Sequence, residues 1–151
     1  MNPGPDTIDL ASYTLAWCAP PCTSWTLAAV PLSGYSLPPR RAAELVVCNT
    51  QDQDGVEVCN ISTGALTPIA SSAVGLWRSS DDAANSVLID VVGDIGHPLP
   101  KGSTDGWAVC GGARATADGL SALNRKSSVV QGVGGDWPAS AGTSMDDCEW
   151  S

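Results

Sequence analysis

Polar and apolar positions alternate over short intervals along this chain, and the apolar runs are strand-length rather than helix-length. In "SWTLAAV" (24–30) the alternation sets Trp25, Leu27 and Ala29 on one face of a strand. "RAAELVVCN" (41–49) predicts a second strand. "VEVCNIS" (56–62) is expected to pair back on it across "TQDQDG", where Asp54-Gly55 supplies the turn chemistry. Another hairpin follows from "VGLWRSS" (74–80), the turn "DDAAN" and "SVLIDVVG" (86–93). "GWAVCGGARATA" (106–117) reads as one strand with a glycine bulge at Gly111-Gly112. "SVVQGVGG" (128–135) reads as the last strand. Gly and Pro interrupt the chain about every six residues, too often for long helices. The predicted class is therefore all-β, an antiparallel β-sandwich or jelly roll of about seven short strands.

This pattern divides the chain into three parts. Residues 1–23 are expected to form an extended N-terminal arm and the Pro/Cys loop "WCAPPC". Residues 24–135 carry the β-sandwich, and 136–151 an acidic, irregular C-terminal tail lying over another surface. The opening "MNPGPDTIDL" has neither a basic n-region nor an apolar h-region, so no signal peptide is expected there.

Composition changes the picture of the core. At 151 residues the chain can bury one, but it has no Phe and only Tyr13 and Tyr35 beside six Trp. Val, Leu, Ile and Ala must therefore pack around a few large indoles. The net charge of −9, with no basic stripe, argues against nucleic-acid partners and against an anionic membrane.

Six cysteines are the main candidate chemistry: Cys18, Cys22, Cys48, Cys59, Cys110 and Cys148. Zinc sites need two close Cys/His pairs, and only Cys18-x3-Cys22 is close, so no metal is expected. Disulfides and free buried thiols both remain open, with disulfides favoured and a cross-strand Cys48–Cys59 bridge the first pairing considered. Fifteen complete pairings exist for six cysteines, and spacing does not choose among them.

Other motifs take plain readings. "QDQDG" lacks the remaining ligands of a calcium loop and reads as an acidic turn. His97, the single histidine, precedes Pro98 in a loop, and no Gly-x-Ser-x-Gly elbow occurs. "GVGGD" lacks the Lys-Ser/Thr of a phosphate loop. The sequon at Asn60 is expected to be idle. No catalytic residue and no cofactor is assigned. Trp77 and Trp107 fall within strand patterns and are assigned to the core. Trp137 and Trp150, in the tail, are candidate partner anchors, as are Arg40 and Arg41.

The order "YSLPPRRAAELVVCNT", then "HPLPKGSTDGWAVCGGARATADGLSAL" with "SVVQGVGG", resembles small β-sandwich proteins of tailed-phage particles. Pro38, Arg40, Arg41, Val46, Val47, Cys48 and Asn49 match one element of that pattern. Leu99, Pro100, Gly102, Ala117, Asp118 and Gly119 match another. "TDGWAVCGGARATAD" is also similar to head-decoration proteins of the lambda type. The likeness spans about residues 24–135; "WCAPPC", the six cysteines and the Cys148 tail are additions to it.

The resemblance implies a non-enzymatic virion component: a capsid cement or decoration protein, or a neck or tail accessory subunit. It would contact the major capsid protein or other virion proteins, be made in the host cytoplasm, and by analogy form a homotrimer. The alternative expectation is a secreted or surface lectin-like module that stacks exposed Trp on sugar rings. An enzyme using His97 as base is a third, weaker reading.

Overall fold

A computed structural model of the protein describes residues 4–18, 25–39, 47–49, 61–63, 72–79, 86–97, 99, 106–115, 125–126, 128–129 and 134–150. These residues form mostly strands in antiparallel sheets, with one five-residue helix among them, so the class is all-β. The largest sheet has four strands in the order β3-β2-β7-β8, with β2 at Tyr13–Cys18, β3 at Thr26–Pro31, β7 at Ala73–Arg78 and β8 at Val87–Val92. All its neighbours are antiparallel. The β7–β8 hairpin agrees with the pattern read from sequence, as does β3. Pro31 ends β3 on the sheet edge, where its missing N–H breaks no ladder.

Strand β2 was not foreseen. "YTLAWC" falls within the segment assigned to an arm and loop, yet it runs between β3 and β7 and pairs with β7 from Tyr13↔Arg78 to Cys18↔Ala73. Its two faces serve two apolar clusters. Tyr13, Leu15 and Trp17 pack with Leu76 of β7 around buried Leu10, Val30 and Leu32. Cys18 points the other way and joins Ala73, Val91, Trp107, Val109, Cys110, Trp137, Ala141, Cys148 and Trp150. Consecutive strand residues face opposite sides of a sheet, so the two clusters lie on opposite faces.

The second cluster's face is lined by small residues, which leave room for indoles. Ala16, Cys18 and Ala73 are fully buried. A Cβ at Gly75 would stand 2.8 Å from the Trp25 ring and 2.8 Å from Leu88 Cδ1. Trp25 meets Trp77 edge to face at 5.6 Å.

Short ribbons cover the sheet. Strand β1 (Ile8–Asp9) pairs with β4 (Ser36–Leu37), and the Leu10 N–H bonds the Tyr35 carbonyl at 3.0 Å. The N-terminal segment is thus docked from residue 8 onward by its own chain, because Ile8 and Leu10 have an apolar face to cover. β9 (Trp107–Val109) and β10 (Ala113–Ala115) form an antiparallel hairpin. The expected bulge at Gly111-Gly112 is instead part of its turn: Gly112 N–H bonds the Val109 carbonyl, and Cys110 and Gly111 both have positive φ.

Two further expectations need correction. β5 (Val47–Asn49) and β6 (Ile61–Thr63) pair in parallel, with Cys48 opposite Ser62. A parallel pair cannot be joined by a tight turn, so these two strands do not form the expected hairpin; Asp54-Gly55 lies outside the described residues. Of the strand expected over 128–135, the bounds are too wide: 128–129 are not in a strand, and Gly134 and Gly135 have φ of 65° and 88°, which strands do not adopt, while 130–133 lie outside the described residues.

Candidate functional site: the clasp on the C-terminal segment

Residues 136–150 are held by many bonds within the segment and to the sheet. Asp136 caps helix α1 (Trp137–Ala141), its Oδ1 accepting from Ala139 N–H at 3.1 Å, with Pro138 in the first turn. Gly142 ends the helix at φ 62°, its N–H bonding the Pro138 carbonyl. One side of this turn buries Trp137, Ser140 and Ala141. The following loop winds around Asp147, which accepts from the Thr143 hydroxyl at 2.7 Å and from the N–H groups of Thr143 and Ser144. The Ser144 hydroxyl adds a bond at 2.9 Å. The Thr143 hydroxyl first, then these other donors, hold the Asp147 carboxyl well below the usual carboxylate range.

The segment then meets the β9–β10 turn. Cys148 and Cys110 form a disulfide with Cα atoms 5.1 Å apart, closing a separation of 38 residues. The Cys110 N–H also donates to the Ala141 carbonyl at 2.8 Å, and Cys110 holds φ 51°, an uncommon value for a residue with a Cβ.

An ionic clasp lies beside the disulfide. Arg125 is ion-paired with Asp90 on β8 and with Glu149, and its guanidinium stacks 4.1 Å above the Trp150 ring. The Ser140 hydroxyl donates to Glu149 Oε2 at 2.9 Å and accepts from Trp150 Nε1 at 2.9 Å. Backbone bonds complete the set: Lys126 N–H to the Glu149 carbonyl, Glu149 N–H to the Ser140 carbonyl, and a strand-like bridge of Arg125 with Trp150. One cation therefore joins the sheet to the C-terminal segment, and each of its carboxylate partners is compensated.

Chemically, this arrangement fastens. Ser140 is 1% exposed and its hydroxyl is engaged on both sides, so it is no free nucleophile. His97 is elsewhere, exposed in the loop after β8, with Nδ1 2.9 Å from Asp94 Oδ2. Asp94 also accepts from the Gly96 and His97 N–H groups. Partial burial works against ionisation of Asp94, but the His97 and backbone bonds outweigh it and lower its pKa. Among the described residues, no group of three His, Cys, Asp or Glu is placed to hold a metal.

The sequence-derived candidates are distributed unevenly. Cys110 and Cys148 come together, and Cys18 is also disulfide-bonded and fully buried. Cys48 is seen only as a backbone position in β5. Cys22, Cys59, Arg40 and Arg41 lie outside the described residues, as do "QDQDG" and Asn60. Trp137 and Trp150 are corrected: at 4% and 6% exposure they are core residues, not surface anchors. Their rings lie 6.1 Å apart, covering the face that Ala73 and Val91 leave open. The clasp residues Arg125, Asp90, Glu149 and Ser140 were missed. The available signal was Asp90, a lone acid in the apolar run "VLIDVV", which required a cation nearby.

No helix among the described residues is long and apolar enough to cross a membrane. No protein-family model matches the chain, and neither a curated protein nor a solved structure matches it.

Proposed function

We propose that the chain is a structural component of a tailed-phage virion, most simply a cement or decoration subunit that stabilises the capsid, or else a neck or tail accessory subunit. In this reading the antiparallel sheets close into a β-sandwich, the role is mechanical, and no cofactor takes part. The partners are the major capsid protein or other virion proteins, with the chain itself a homotrimer acting on the particle. The observation that carries the reading is the fastening of two segments far apart in the sequence onto opposite faces of one sheet. Residues 8–10 cover one face, and residues 137–150 are tied to the other by the Cys110–Cys148 disulfide and the Arg125 clasp. A body held together in this way suits a particle that must last outside cells. The sequence resemblance points the same way.

Lectin-like stacking on Trp137 or Trp150 is not pursued, since both indoles are buried by their own chain.

The test uses particles whose genome encodes this chain, purified with and without it. Expected are a homotrimer of the isolated full chain in native mass spectrometry, its presence in the particle, and a lower particle disruption temperature in its absence, restored by adding it back. A chain that neither joins the particle nor alters its heat stability would overturn the proposal.

A further inference from the structure

We infer that the C-terminal segment is a redox-gated latch: with Cys110 and Cys148 reduced it releases from the sheet, and disulfide formation closes it. This inference stands on the segment's own contacts and does not require the virion reading.

Three observations carry it. The segment supplies four of the ten residues in its apolar cluster, Trp137, Ala141, Cys148 and Trp150, so releasing it opens a large part of one core. Its contact with the β9–β10 turn is tight and strained. Cys110 holds a positive φ, and a Cβ at Gly111 would fall 2.3 Å from the Thr143 carbonyl oxygen. The turn thus favours this geometry only while something holds Cys110 in place. Finally, the four-stranded ladder of β3, β2, β7 and β8 includes no residue of the segment, and so can persist when the latch opens.

Closure needs an oxidant, for which a small-molecule disulfide such as glutathione disulfide suffices. The thiolate of one cysteine attacks a sulfur of that disulfide, forming a mixed disulfide and expelling one glutathione thiolate. The second cysteine, as thiolate, then attacks the protein sulfur of the mixed disulfide and expels the other glutathione thiolate. Two protein thiols become one disulfide, and one glutathione disulfide becomes two thiols. Closing a loop of this length favours the docked segment by roughly a hundredfold or more.

The experiment equilibrates the full chain in glutathione/glutathione disulfide mixtures. Alkylation with peptide mapping reads the state of each cysteine, including Cys18, and hydrogen exchange is measured on the same samples. As the Cys110–Cys148 bond opens, exchange at the Cys110, Cys148 and Glu149 amides should rise at least about tenfold, and the β2–β7 ladder should change by less than about threefold. A Cys110→Ala/Cys148→Ala variant in oxidising buffer should reproduce that pattern. Unchanged protection at Cys148 and Glu149 would overturn the latch, showing a segment that docks without the bond. Loss of the β2–β7 ladder in step with the bond, or a double variant that fails to fold, would overturn it too, showing a staple for the whole fold.

Discussion

The indole of Trp107 occupies the space that a side chain on Gly93 would fill. A Cβ at Gly93 would lie 2.6 Å from Trp107 Nε1 and 2.9 Å from the Ala73 Cβ, and Gly93 has φ of 102°. The ring is held there by burial and by its N–H bond to the Ser72 carbonyl at 3.3 Å. Gly93→Ala therefore meets both a steric and a backbone penalty, for an expected loss of about 3 kcal/mol. Urea unfolding followed by far-UV circular dichroism checks it; a variant as stable as the wild type would remove this contact from the account.

Arg125→Met should leave Asp90 and Glu149 without their shared cation while keeping much of the side-chain volume. Arg125 is about one-fifth exposed, which moderates the cost of two uncompensated carboxylates to about 1–3 kcal/mol. Arg125→Lys keeps the charge but loses the fork and the flat stacking surface, and should fall between the two. Denaturant midpoints of the three proteins, measured side by side, give the order.

Asp147 links the loop to pH. Its carboxyl titrates below the ordinary value of 3.8 in the folded chain, so the folded state favours the charged form. That contribution is fully present above about pH 5 and is lost as pH falls from there through the lowered folded value. The difference in melting temperature between wild type and Asp147→Asn should accordingly be constant from pH 7 to 5 and shrink in more acidic buffer. A gap that widens on acidification would reverse the sign of the linkage.

Trp150→Ala removes a core ring, the stacking partner of Arg125 and a donor to Ser140, so it should destabilise the isolated chain by about 3–5 kcal/mol. Trp137→Ala should do the same through its buried ring. If either indole served only to hold a partner, thermal unfolding of the isolated protein would be unchanged.

How far the residues announced all this depends on which faces were wet. β8 and β7 were legible because "DDAAN" separates two compact apolar runs that pair across it. β2 was hidden because "YTLAWC" has a cluster on each face and so shows no alternation, the one signal that separates a strand from a loop in so short a run. The parallel β5–β6 pair was misread because Asp-Gly is a local turn signal, while parallel pairing is set by distant contacts. Cys110 and Cys148 could be named as bridge candidates but not as partners, since nothing local relates positions 38 residues apart. The Arg125 clasp drew on three separate segments. Only its demand, a single acid in an apolar strand, was visible.

The placement of residues 8–10 and 137–150 on opposite faces of the sheet has a consequence for biosynthesis. One apolar cluster is built from residues 8 to 76 and can form while the chain is still being made. The other needs Trp137, Cys148 and Trp150, made about sixty residues or more after Leu76. Until those residues have left the ribosome, Cys18, Ala73, Val91 and Trp107 lack their cover, and the nascent protein presents a sticky half-built face. Synthesis thus finishes one side of the sheet well before the other.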